Sequence, residues 1–429
     1  MAMSTDLSPV FPLGSRINER GALEVGGCDT IELARRFGTP AYVVAEDDLR
    51  ARARSFRETA SELHADMQIV FASKAFPCTA VLALFAQEGL WCDVASGGEM
   101  HLALSAGFAP ERLVMHGNAK SQDELRMALS NRLGLIVIDN FDEIERLGAL
   151  IADGALDDRS GDGQPVLVRV NPDVRGETHE KISTGQADSK FGFSMSEATA
   201  AIERVRATPG LSLQGLHAHI GSQLLALDPF RRACRELDAL GEFPVIDIGG
   251  GLGVSYLEGQ PEPPSVEDYL GAIVAAREGR SGRLLVEPGR SLTANAGVTL
   301  YTVESVKQNV SRWVAVDGGM SDNMRPMLYG AVYEAHVADR FGGSTECVLA
   351  GKHCESGDVI VRDARLADPR PGDVIVTPAT GAYGFAMASN YNGVPRPPVI
   401  FCAGGEARVV VRRETFEDLT ARDQPGAGG

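Results

Sequence analysis

The amino-acid sequence predicts an α/β chain, a closed (β/α)8 (TIM) barrel joined to a second, mainly β domain that is itself β-barrel-like. Three observations lead there. Between residues 40 and 290, eight short apolar runs alternate with helix-period segments, over about 250 residues, the size of such a barrel. Almost every run ends in a residue useful to chemistry. After Arg290 the helical period fades, and turn-separated strands take over.

The eight runs are Gln68 to Ala72, Trp91 to Ala95, Leu113 to His116, Leu135 to Asp139, Val166 to Asn171, Leu213 to Ile220, Val245 to Ile248 and Leu284 to Glu287. Helical patterns such as Pro77 to Glu88, Gln122 to Asn131 and Pro229 to Leu240 separate them, which implies parallel strands with right-handed crossovers. An open doubly wound sheet is the rival arrangement. The polar residues favour the barrel: Lys74, Asp93, His116-Gly117-Asn118, Asn171, His219, Gly249-Gly250-Gly251 and Glu287 sit at or just past strand C-termini, which a barrel gathers on one face.

The expected domains are 40–290 for the barrel, 1–39 with 291–422 for the β-rich domain, and 423–429 as a disordered tail. Near the start, Arg16 to Val25 reads as a strand pair and Asp29 to Phe37 as a helix stopped by Gly38. Asp153 to Gln164 and Glu258 to Pro264 read as exposed loops.

Composition narrows the function. A 44% hydrophobic and 23% charged chain of 429 residues is that of a soluble globular protein. Its net charge of -17, with no basic stripe, argues against nucleic-acid or anionic-membrane partners. With no run of about 18 apolar residues and no signal-peptide pattern, the expected location is the cytoplasm. Seven cysteines without a C-x-x-C pair suit reduced thiols.

Lys74 follows an apolar run directly, where desolvation would favour the neutral amine that condenses with an aldehyde to a Schiff base. Ile248-Gly249-Gly250-Gly251-Leu252-Gly253 offers backbone N–H groups to a phosphate, but Val254 breaks the dinucleotide fingerprint. His217 and His219 alternate on one run, with no third or fourth donor at ligand spacing, so no metal is expected. His219 is read as stacking on an aromatic ring, with Ser222 on a phosphate, and His217 as packed. Glu287 can hold a pyridine nitrogen protonated, and Arg290 can fork onto phosphate or carboxylate. Read singly, these are a surface lysine, a tight turn and an ion pair.

Together they form a pattern. Phe71-Ala72-Ser73-Lys74-Ala75, His116-Gly117-Asn118, His179 to Gly185, Lys190-Phe191-Gly192, His219-Ile220-Gly221-Ser222, the glycine loop, Glu287-Pro288-Gly289-Arg290, Arg325 to Tyr329, Cys354-Glu355-Ser356-Gly357-Asp358 and Gly381-Ala382-Tyr383 run in order over about residues 40 to 400. In this the chain resembles the fold-type III pyridoxal phosphate decarboxylases. The resemblance implies pyridoxal 5'-phosphate on Lys74, cradled by Asp93, His219, Ser222, Gly249, Gly250, Gly251, Glu287, Gly289, Arg290 and Tyr383. It implies Arg290, Arg325, Tyr329, Glu355 and Tyr383 on the substrate, and a homodimer in which Cys354 and Glu355 enter the partner's site. Cys354 or a lysine would return the proton. Arg290 could serve phosphate or substrate.

The implied reaction is decarboxylation of meso-2,6-diaminopimelate to L-lysine. Arginines suit that substrate's distal carboxylate and Glu355 its distal ammonium. The alternatives are another basic or carrier-bound amino acid, an alanine-racemase-like isomerase, or a non-catalytic regulator. Ser389-Asn390-Tyr391-Asn392 fits the pattern loosely and has no assigned role.

Overall fold

The computed structural model describes residues 7–156, 161–174 and 189–424. Its contacts divide into two units, Arg50–Val254 with Glu262–Leu292, and the remainder. The motif His179 to Gly185 and the last five residues of the expected tail lie outside the described residues.

The first unit is the barrel. Its strands are β1 (Met67–Ala72), β2 (Trp91–Val94), β3 (Leu113–Met115), β4 (Leu135–Ile138), β5 (Gln164–Asn171), β6 (Leu211–His217), β7 (Val245–Asp247) and β8 (Arg283–Val286). Each pairs in parallel with the next, and β8 pairs back onto β1, which closes the ring. The strands read as continuous apolar runs because both faces are covered. A barrel core joins Val70, Val114, Leu135, Val137, Leu167, Val245 and Leu285, so the interior is filled and is not a pore.

Local chemistry sets where the helices begin. Ser96, Ser121, Asn140 and Ser265 each accept the backbone N–H three residues on, capping the helices that start at Gly97, Gln122, Phe141 and Val266. Glu124 completes a capping box with Ser121.

One buried ion pair braces the loop after β3. Lys120 Nζ donates to the carbonyls of Gly117 and Val137 and to Glu143 Oε1, each at 2.7 Å. Burial pulls the Lys120 pKa down and pushes the Glu143 pKa up, each partly offset by the partner's charge. Lys120→Met leaves Glu143 and two carbonyls without their donor, and is expected to lower stability by about 3–5 kcal/mol. Urea unfolding checks this: Lys120→Met with Glu143→Leu should recover much of the loss, and a single variant as stable as the parent would refute it.

The second unit is a branched nine-stranded sheet. Gly297–Gln308 is its hub, pairing with Ala41–Ala45, Arg312–Val316 and Val374–Thr377. The path then runs outward to Thr345–Ala350 and Val359–Leu366 on one side, and to Val399–Ala403 and Glu406–Val411 on the other. The pairing branches at the hub, and the described strands do not close into one ring. The N-terminal strands Arg16–Ile17, Leu23–Val25 and Cys28–Asp29 form a small antiparallel sheet, and Asp29 caps the helix Thr30–Phe37.

Two features differ from the sequence reading. Ala41–Ala45, read as part of the barrel, is a strand of this sheet, since a fully buried AYVVA run carries no alternation to tell one sheet from the other. The 18-residue helix Glu46–Leu63 was not expected; Leu49, Ala53, Phe56 and Ala60 form its buried stripe at helical spacing. Among the described residues no helix is long and apolar enough to cross a membrane.

Candidate active site

The C-terminal end of the barrel gathers the chemistry. Glu287 follows β8 and is buried, with His116 Nε2 2.6 Å from one carboxylate oxygen and His217 Nε2 3.4 Å from the other. Burial opposes its charge, but the two imidazoles outweigh burial and hold its pKa well below the usual carboxylate range. Asp247, at the end of β7, goes the other way: burial first, then the neighbouring Glu287 charge, pushes its pKa well above the ordinary value. Burial also takes His217 down to about 3, so that ring is neutral. Of two carboxyls side by side, Glu287 is therefore the one held toward the anion and Asp247 the one pushed toward the acid.

His116, His217, Asp247 and Glu287 present donor atoms within 4.8 Å of one another, a set that could ligate an ion. Within this set each imidazole bonds to one oxygen of the Glu287 carboxylate. His217, read from sequence as packed, is buried and also bonded to Glu287. His116, expected at a strand end and within the family's motif pattern, carries no assigned role in the sequence reading. No sequence signal pairs it with Glu287, 171 residues away.

Lys74 lies on the turn Ser73–Ala75 just past β1. Its neighbours Ser73 and Ala75 are buried, yet Lys74 itself is exposed, which corrects the expectation of a desolvated amine: the turn lifts the side chain out of the strand. Its charge is felt by two groups nearby. Burial pushes the Asp93 carboxyl up to about 6 against the pull of Lys74, and burial together with Lys74 holds His219 well below the ordinary histidine value. Asp93 Oδ1 is buried without a hydrogen-bond partner.

His219 sits two residues beyond the end of β6, where its Nδ1 accepts the Gly250 N–H at 3.2 Å. Gly249 donates to Asp247 Oδ1 at 2.8 Å, so two of the three glycine amides are engaged within the fold. The Gly251 N–H has no protein partner among the described residues. A Cβ on Gly250 would lie 2.1 Å from the Glu287 carbonyl oxygen, so the loop's glycines serve close backbone approach as well as any anion. Ser222 Oγ accepts from Arg290 Nη2 at 2.8 Å, joining two residues expected on a phosphate. Gly289 packs on Ala72 and Ala75, beside the Lys74 turn.

Around β5, Arg169 lies 3.7 Å from Asp139 and 4.3 Å over the Phe191 ring, while the Gly192 N–H donates to Asp139. This seats the Lys190-Phe191-Gly192 motif at the barrel's working end.

The sheet unit carries the other expected residues. Arg325 opens the short helix Arg325–Tyr329 and is buried, its guanidinium ringed by Tyr256, Tyr333 and Tyr383. Tyr329 ends that helix, half-buried. Tyr383 takes a left-handed backbone, φ 65°, at the start of Gly384–Met387. Cys354 and Glu355 are exposed; the other six cysteines are buried. Their turn is firmly held. Asp358 accepts from the backbone N–H of Met320 and His353 and pairs with His353 Nδ1 at 2.7 Å, while Asn392 Oδ1 accepts the Cys354 N–H at 2.8 Å. That gives Asn392, unassigned from sequence, a place under Cys354. Tyr256 and Tyr333 were missed, because only the folded chain brings them to Arg325.

A parallel barrel presenting a lysine, a buried carboxylate and a serine–arginine pair at one end is the architecture of a pyridoxal-dependent enzyme. Residues 46–294 match the family described as pyridoxal-dependent decarboxylase, pyridoxal binding domain. The chain is 46% identical to the diaminopimelate decarboxylase of Actinosynnema pretiosum subsp. auranticum, over 96% of this chain and 95% of the relative. It is 44% identical to that of Bacillus subtilis, over 96% and 97%. The structure of diaminopimelate decarboxylase from M. jannaschii in complex with L-lysine superposes with a TM-score of 0.88 at 32% identity, covering 96% of this chain and 98% of that one. The chain belongs to the diaminopimelate decarboxylases of this family.

Proposed function

We propose that this protein removes CO2 from one amino-acid head of meso-2,6-diaminopimelate to leave L-lysine, the last step of lysine biosynthesis, with pyridoxal 5'-phosphate held on Lys74. The observation that carries this is Glu287: a buried carboxylate kept charged by His116 and His217, at the same barrel end as Lys74 and the Ser222–Arg290 pair. The donor set fits the cofactor. Lys74 is open to an aldehyde, Glu287 supplies the anion a ring nitrogen needs, and Ser222, Arg290 and the Gly251 N–H supply donors for a phosphate. Asp93, His219, Gly249, Gly250, Gly289 and Tyr383 complete the assignment. When bound, the cofactor's ring takes up the electron pair left as CO2 departs.

This chain's residues orient and protonate. Glu287 holds a proton on the ring nitrogen, and His219, kept neutral, offers a flat uncharged face. Arg325 and Tyr329 take the distal head, with Glu355 on its ammonium, and Cys354 Sγ returns a proton to the carbon that lost CO2. The exposed, braced turn bearing Cys354 and Glu355 supports a homodimer in which that turn serves the partner's site. Seven unpaired cysteines suit a reducing cytoplasm. An ornithine-like substrate would leave the buried Arg325 cation without a carboxylate.

CO2 release from purified protein supplied with pyridoxal phosphate, offered meso-diaminopimelate, lysine, ornithine and arginine in parallel, tests the reading. Release from meso-diaminopimelate alone is expected. Equal or faster release from ornithine or lysine would overturn the substrate assignment.

A further inference from the structure

We propose that Tyr256 and Tyr333 are positioning residues that aim the Arg325 guanidinium at the carboxylate of the amino-acid head that is not decarboxylated; this rests on the reading of Arg325 given above. Arg325 is 6% exposed, a buried cation. Such a group ordinarily sits against a carboxylate. Among the described residues Arg325 makes no ion pair. Its Nη1 instead donates to two phenol oxygens, Tyr256 Oη at 3.0 Å and Tyr333 Oη at shorter range. The carbon of the guanidinium lies 4.9 Å from the Tyr256 ring centre, 5.5 Å from that of Tyr333 and 5.9 Å from that of Tyr383.

A guanidinium has five N–H bonds, and the two on Nη1 face the two phenols. Nε and Nη2 are left, the edge that matches a carboxylate with two parallel hydrogen bonds. No described residue bonds to them, and neither atom is sealed from solvent. An acid in place of the phenols would cancel the charge and compete with the ligand. Phenol oxygens fix the plane of the guanidinium and leave its charge available.

The two tyrosines also lock each other. Their rings meet edge to face at 5.3 Å and 85°, and both are buried. Tyr256 comes from the segment Ser255–Pro261, which packs with the sheet unit although it lies within the barrel's stretch of sequence. Tyr333 lies eight residues beyond Arg325. Removing either hydroxyl keeps the ring and its packing but frees the guanidinium to turn.

The distal head is retained in the product, so L-lysine carries the carboxylate in question and cadaverine lacks it. The test compares Tyr256→Phe, Tyr333→Phe and Arg325→Lys, all loaded with cofactor, with thermal unfolding as the check on folding. Each phenylalanine variant should raise KM for meso-diaminopimelate about 10-fold, the scale of losing a hydrogen bond to a charged group, with kcat within about 2-fold. L-lysine should inhibit each variant more weakly by the same factor, and cadaverine should inhibit as in the parent. Arg325→Lys should weaken L-lysine further, since an ammonium lacks the fork. If Arg325→Lys leaves L-lysine inhibition unchanged, the clamp reading fails and this inference with it. If Arg325→Lys weakens it while both phenylalanine variants keep the parent's KM and inhibition, the tyrosine assignment alone is overturned. A fall in kcat with KM unmoved would also overturn it, because it would place the tyrosines in the chemical step.

Discussion

Lys74→Ala is expected to abolish CO2 release, by on the order of 10⁴-fold or more, and to remove the long-wavelength absorbance of protein-bound cofactor. The size of the effect follows from position. Lys74 is an accessible amine on a turn whose flanking residues are buried, so the backbone is fixed while the side chain remains reachable. Its loss leaves Asp93 and His219 without the cation that acts on both. Unfolding should move little, because an exposed lysine contributes little burial. Turnover within about 10-fold of the parent would place the attachment elsewhere.

Glu287→Gln should cost on the order of 10²–10³ in kcat. The amide keeps the shape and removes the charge, so it can no longer hold a proton on a ring nitrogen. Three further groups respond. Asp247 loses the neighbouring anion that helps raise its pKa, and His116 and His217, which each meet one carboxylate oxygen, are left with a single amide oxygen to share between them. Asp247 then becomes easier to ionise and could partly stand in for the lost charge. Combining Glu287→Gln with Asp247→Asn should therefore reduce kcat beyond Glu287→Gln alone. Steady-state rates at saturating substrate check this. A Glu287→Gln enzyme with parental kcat would show that the carboxylate's charge is not used.

Much of this architecture was legible because parallel strands buried on both faces write themselves as uninterrupted apolar runs, and because barrel enzymes put chemistry where those runs stop. All eight strands lie within a few residues of their expected limits, and Glu287, His219 and Lys74 fall just past strand ends. The same uniformity hid the exception: Ala41–Ala45 is as apolar as any barrel strand but pairs in the other sheet. The helix Glu46–Leu63 was obscured by its charges, since a stripe of Leu49, Ala53, Phe56 and Ala60 is thin among arginines and glutamates.

Site details were less legible where they depend on tertiary proximity or solvent. His116 and Glu287 meet only because the barrel closes, and Tyr256 and Tyr333 meet Arg325 only after folding. The glycine run was legible as a loop. Its use was not, since two of its amides bond within the protein. Burial of Lys74 was misjudged because an apolar run says that a strand is covered, not where its last turn opens.

The most direct test is to load the protein with pyridoxal phosphate, reduce it with borohydride, digest it and locate the pyridoxyl mass by peptide sequencing. The label is expected on Lys74 alone, in the peptide bearing Phe71-Ala72-Ser73-Lys74-Ala75. A label on another lysine, such as Lys120 or Lys190, with Lys74 unmodified, would contradict it.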